Sequence, residues 1–214
     1  MFVGHYGVSF AAKRFAPRTS LGTYFFAVQL LDVLFAIFVL AGVEKLRIVP
    51  GFTQYNPYDL YYMPYTHSLA GALAWSVAAW LVAVAAGAQR GAWWIAAAVF
   101  SHFVLDVPMH TPDMPLLGND SPKVGLGLWR HRDLALAAEL ATLGVGLLIW
   151  RRATSLRPWP RWRALAFAAF LVALTMATPF FPPPPGDRAF AWQALAGYVV
   201  LAAIAAWLDR EPVR

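Results

Sequence analysis

The chain has 214 residues, 60% of them apolar and only 13% charged, with no cysteine and a formal net charge of +6. Soluble domains carry about 25% charged residues, so this composition points to an integral membrane protein, and its apolar blocks approach the roughly 20 residues that a bilayer crossing needs. Absence of cysteine excludes structural disulfides, thiolate metal sites and thiol nucleophiles. The basic residues flank the apolar blocks, which reads as a topology signal and not as a nucleic-acid surface.

In chain order, residues 1–15 are apolar but too short to cross, and Lys13, Arg14 and Arg18 follow around Pro17. This predicts a half-helix; it has neither the basic start nor the small-residue cleavage site of a signal peptide. Six spans follow, at residues 21–43, 68–88, 92–109, 134–150, 164–181 and 189–208. The expected fold class is therefore all-α, a polytopic membrane protein forming one domain over residues 1–214. Its site-bearing helices fall within 1–150 and two apolar helices within 151–214. The short link at Gln89 to Gly91 makes spans two and three antiparallel neighbours, and the run Pro182 to Pro185 reads as a stiff polyproline connector.

Alternate loops differ in charge. Lys13, Arg14, Arg18, Arg90, Arg151, Arg152, Arg157, Arg161, Arg163, Arg210 and Arg214 fall on one side; Lys45, Arg47, Lys123, Arg130, Arg132 and Arg188 fall on the other. The excess on the first side predicts cytoplasmic termini. The loops at residues 44–66 and 111–132 then face outward, where they are placed to form a lid.

Ionisable residues inside a span cost roughly 2.5 to 3.5 kcal/mol on insertion scales, so each needs a partner or a task. Asp32 lies in the first span, His102 and Asp106 in the third and Glu139 in the fourth; His67 starts the second and His110 ends the third. At about 1.5 Å per residue from the inner-edge basic residues, His5, Asp32, His102, Asp106 and Glu139 fall in one layer about 13 to 24 Å deep. His67 and His110 fall higher, at about 30 to 34 Å. His102 and Asp106 lie one turn apart on one helix face, as two ligands of one ion require. Imidazole and carboxylate without thiolate suit Zn, Mn or Fe. The three carboxylates have no Lys or Arg at their depth, and one or two divalent cations resolve their repulsion most directly.

Individually these residues have plainer readings. Thr66 suits a helix N-cap with His67 in the first turn, Asp32 suits a bond between helices, and His131 and Asp133 suit helix-start chemistry beside Arg130 and Arg132. The tryptophans read as interface anchors.

Several stretches resemble bacterial inner-membrane proteins known as membrane-bound metal-dependent hydrolases. They are Gly4-His5-Tyr6, Gln29 to Asp32, Tyr65 to Leu69, Ser101 to Asp106 with His110 and Pro112-Asp113, and Lys123 to Trp129. The order Asp, His, then His-x-x-x-Asp is also similar to the zinc-dependent phospholipase C and nuclease superfamily. That resemblance implies one ion on Asp32, His67 and His102, with Asp106 bridging to a second ion that His5 helps to bind. The chain departs from it at Ala135, four residues before Glu139, where the superfamily has a histidine; it also carries Arg130 where the membrane family leads one to expect an Asn-like residue.

The resulting expectation is a hydrolase of the bacterial inner membrane that acts on a lipid or lipid-linked ester or phosphoester through a metal-activated water. Glu139 is a candidate general base or an orienter of a ligand histidine, and His110 a candidate proton donor. The alternative is a transporter that uses the same His and Asp residues to move protons or metal ions. The chain shows no pair of similar halves, the usual mark of such transporters.

Overall fold

The computed structural model describes residues 1–152 and 161–209. Expectations placed on Arg157, Trp159, Arg210 and Arg214 fall outside them. The described chain is mostly helical: α1 (His5–Phe15), α2 (Leu21–Val28), α3 (Leu30–Leu40), α4 (Leu69–Ala85), α5 (Gln89–Met109), α6 (Arg132–Arg151), α7 (Arg161–Ala177) and α8 (Asp187–Leu208).

Three helices, α5, α6 and α8, are long and apolar enough to cross a membrane, and a fourth crossing results if α2 and α3 count as one bent span. Length and composition thus support three to four crossings where the sequence led to six. The difference lies in helix ends. α4 has 17 residues because Gly87, at φ +80°, stops it. The Gly87 N–H donates to Val84 and the Ala88 N–H to Ala83, a Schellman ending. The apolar part of α7 is likewise shorter than the three long helices.

The first expected span is broken. α2 and α3 meet at 53° across Gln29, whose side-chain amide donates to the Phe2 carbonyl at 3.0 Å. The break places Asp32 in the first turn of α3, where the helix dipole favours a carboxylate.

The expected half-helix is α1, which packs along α6. Gly7 and Gly146 allow this: a Cβ at Gly7 would strike the Thr142 carbonyl, and one at Gly146 would strike the Gly7 carbonyl. Small residues give helices this close approach where lipid supplies no hydrophobic drive. At its far end Lys13 donates to Asp209 Oδ2 at 2.6 Å and to the Pro17 and Thr19 carbonyls at 2.9 Å, tying α1 to the end of α8.

The loops at residues 44–66 and 111–132 carry short strands, where the sequence predicts only helices and connectors. β1 (Lys45–Ile48) pairs antiparallel with β2 (Tyr58–Tyr62), with Arg47 opposite Asp59, and β3 (Met114–Pro115) pairs with β4 (Lys123–Val124). The Tyr55 N–H donates to the Trp129 carbonyl at 3.1 Å, so the two loops touch.

Candidate metal centre

Six of the seven residues singled out in the sequence converge on one point, and the seventh holds the chain segment beside it. Asp106, on α5, is the hub. Its Oδ1 lies 3.2 Å from His5 Nε2, and its Oδ2 lies 3.1 Å from His102 Nε2, 3.5 Å from His110 Nε2 and 3.9 Å from His67 Nε2. Asp106 Oδ1 also accepts from the α-amino group of Met1. Asp32 Oδ1 faces His67 Nε2 at 3.2 Å and His102 Nε2 at 3.5 Å. Two trios have ligand atoms close enough to hold an ion: His5, His102 and Asp106; and Asp32, His67 and His102.

Three of the four imidazoles, those of His67, His102 and His110, are oriented from behind, whereas His5 Nδ1 is buried without a hydrogen-bond partner. His102 Nδ1 donates to the Val28 carbonyl at 2.6 Å, beside the break between α2 and α3. Its Nε2 is buried without a hydrogen-bond partner of its own, and in the neutral ring that atom carries the lone pair. His110 Nδ1 pairs with Asp113 Oδ1 at 2.9 Å, and Asp113 also accepts from the Thr111 hydroxyl. His67 Nδ1 lies 2.8 Å from Thr66 Oγ1, whose proton goes to Glu44 Oε2 at 2.7 Å. The Thr66 oxygen therefore accepts from Nδ1–H, and His67 Nε2 lies within hydrogen-bond distance of Asp32 Oδ1, at 3.2 Å. Outer nitrogens held by oxygen and inner nitrogens turned toward shared carboxylates are the arrangement of metal-ligating histidines.

Comparison with family models, with curated proteins and with solved structures finds no match for this chain. The site therefore stands on its own geometry.

The depth count placed His67 and His110 above the other ligands, but both join the cluster. His67 precedes α4, with Ser68 as N-cap accepting from the Gly71 N–H at 2.9 Å. Capping thus falls to Ser68 and not to Thr66, which is free to hold the imidazole. His110 caps the end of α5 beyond Pro108, and its extended backbone turns the ring back towards Asp106.

Glu139 is fully buried on α6 and accepts from the Phe2 N–H at 2.7 Å and the Gly4 N–H at 2.5 Å. It anchors the segment that leads into His5. Tyr55 Oη lies 3.4 Å from it.

Three further side chains, Glu44, Tyr198 and Trp129, complete the surroundings of the cluster. Glu44, almost fully buried, accepts from the N–H groups of Tyr65 and Thr66 as well as the Thr66 hydroxyl. Burial pushes its carboxyl above the ordinary range, and those donors oppose the shift. Tyr198 reaches in from α8 to donate to Asp32 Oδ2 at 2.9 Å. Trp129 lays its ring 4.1 Å from that of His110. A buried Glu beside Lys45 looks like a charged loop in sequence, so no local signal marked it; the Thr-His pair was the available clue.

A cavity of about 370 Å³ leads to the cluster. Asp32, His67, Asp106 and His110 lie on its wall, while Phe35, Phe181 and Phe190 make other parts of the lining apolar.

Proposed function

We propose that the chain is a membrane-embedded metal-dependent hydrolase whose substrate is a lipid or lipid-linked ester or phosphoester. One observation carries this reading: His102 Nε2, buried, bare of any hydrogen-bond partner and oriented by the Val28 carbonyl, faces carboxylates of both Asp106 and Asp32. A buried polar atom without a partner is costly, and a Lewis acid between these groups removes the cost.

The donor set fits Zn best, with Mn or Fe as hard-ligand alternatives. His102 has a single inward lone pair and serves one ion, so Asp32, His67 and His102 form one complete trio. The two oxygens of Asp106 face different histidines, an arrangement suited to a carboxylate bridging to a second ion beside His5. An ion held there supplies Lewis-acid activation of water and of the substrate's ester or phosphoryl oxygen.

The protein's own groups do the rest. His110, on the cavity wall with Nδ1 held by Asp113, is placed to hand a proton to a leaving group. Glu139, with both oxygens committed to backbone N–H groups, acts as a positioning residue for His5 and not as a base. The aromatic wall of the cavity accommodates an acyl or prenyl portion. The reading includes residence in a bacterial inner membrane with cytoplasmic termini.

Elemental analysis of purified protein tests the centre: about stoichiometric Zn, Mn or Fe is expected, and His102→Ala or Asp106→Asn loses it. Full metal content in both variants would sink the assignment. Incubation with total bacterial lipid extract, followed by mass spectrometry, tests the reaction. A hydrolysed lipid that disappears on chelation is expected, whereas metal uptake into vesicles without any product would instead establish a transporter.

A further inference from the structure

A second cleft, separate from the metal centre, has a volume of about 880 Å³ and opens between α2 and α3 on one side and the α4–α5 pair on the other. α4 packs chiefly against α5, which leaves its other side to form a wall with Trp75, Ala79, Val82 and Ala86. From Trp75 to Ala86 this wall runs about 17 Å at 1.5 Å per residue. That is about half of a 30 Å hydrocarbon core, the depth of one leaflet.

The two ends of the cleft differ. Trp75 closes one, its indole N–H donating to the Tyr65 carbonyl at 2.9 Å. At the other, Arg18, Ser20 and Thr23 meet Gln89 and Arg90. These two short segments are held together by a close approach, since a Cβ on Gly91 would strike the Thr19 hydroxyl. Arg18 and Arg90 are therefore on adjoining backbone, and neither pairs with a carboxylate among the described residues. Lys13, the nearby basic group on α1, is committed to Asp209.

We infer that this cleft is a binding site for an anionic phospholipid, with one acyl chain along the α4 wall and the headgroup phosphate on Arg18 and Arg90. An apolar slot one leaflet deep matches an acyl chain, and hydrocarbon fills it without stranding polar groups. Guanidinium matches phosphate in charge and geometry. A zwitterionic lipid matches the slot equally well but the net charge of its headgroup does not complement the arginine pair. The inference rests on membrane residence and is independent of the chemistry at the metal centre.

The test offers purified protein in mild detergent equal amounts of phosphatidylglycerol and phosphatidylcholine with identical chains, read by native mass spectrometry. Retained phosphatidylglycerol is expected to exceed phosphatidylcholine about tenfold at low salt. Arg18→Ala/Arg90→Ala brings the two to parity, and Arg18→Lys/Arg90→Lys keeps most of the preference. Ala79→Phe/Ala86→Phe, which fills the slot, lowers retention of both lipids. The melting temperature in detergent, measured on each variant, should match the wild type and shows that the fold survives. Parity of the two lipids on the wild type, or undiminished retention on the filled variant, overturns the proposal.

Discussion

The hydroxyl of Thr66 stands between two side chains with opposite needs: it donates to Glu44 Oε2 at 2.7 Å and accepts from His67 Nδ1 at 2.8 Å. The carboxylate fixes the direction of the hydroxyl proton, the hydroxyl holds Nδ1–H of the imidazole, and Nε2 faces Asp32 Oδ1 at 3.2 Å. Removing the hydroxyl with Thr66→Val keeps shape and burial but leaves the ring free to take the other tautomer. Loss of such an outer partner costs about 10-fold to 100-fold in metal affinity, which competition against a calibrated chelator will measure. Thr66→Ser should restore it. Wild-type affinity in Thr66→Val would remove Glu44 and Thr66 from the site.

Tyr198 brings α8 into the same centre through its bond to Asp32 Oδ2. Tyr198→Phe retains the ring's packing against Phe2, whose centroid lies 5.9 Å away, and deletes only the donor. Asp32 is then free to rotate, and metal affinity should fall about tenfold with little change in melting temperature. An unchanged affinity would make α8 a structural wall only.

How much of this was legible in the sequence follows from what each residue needs. His102 and Asp106 share one helix, so their four-residue spacing alone places them on one face, and Asp32 and Glu139 were visible because charge in an apolar block is rare. Depth counting alone leaves His67 and His110 above the layer, because both lie at chain turns whose direction depends on Ser68 capping and on Pro108; only the family resemblance puts His67 on an ion with Asp32 and His102. Glu44 and Tyr198 carry chemistry through contacts 22 and 166 residues away in sequence. No local pattern encodes these. The 53° break at Gln29 was equally hidden, since neither Pro nor Gly marks it.

The approach of α1 to α6 is the contact that carries His5 to the centre. Gly7→Leu or Gly146→Leu puts a branched side chain where backbone from the facing helix lies. Overpacking of this kind typically costs about 1 to 3 kcal/mol, and no rotamer relieves a clash that begins at Cβ. Lower thermal stability and loss of metal are expected together. Gly144→Leu, two residues away and with open space at its Cβ position, should leave both unchanged. Equal tolerance at all three positions would contradict the close packing.

Lys13 and Asp209 form the second clamp on α1, and both side chains are about nine-tenths buried. Asp209 Oδ2 also accepts from the Leu21 N–H at 2.8 Å, so one carboxylate joins α1, the start of α2 and the end of α8. Lys13→Met strands that carboxylate, and breaking a buried pair from one side costs about 3 to 5 kcal/mol. Asp209→Asn in the same chain removes the stranded charge while its amide oxygen still accepts from Leu21. The double variant should therefore recover a large part of the loss. A double-mutant cycle on thermal or denaturant unfolding in detergent reads the coupling directly. Simple additivity of the two substitutions would show that the ends of α1 and α8 are held by packing and not by this pair.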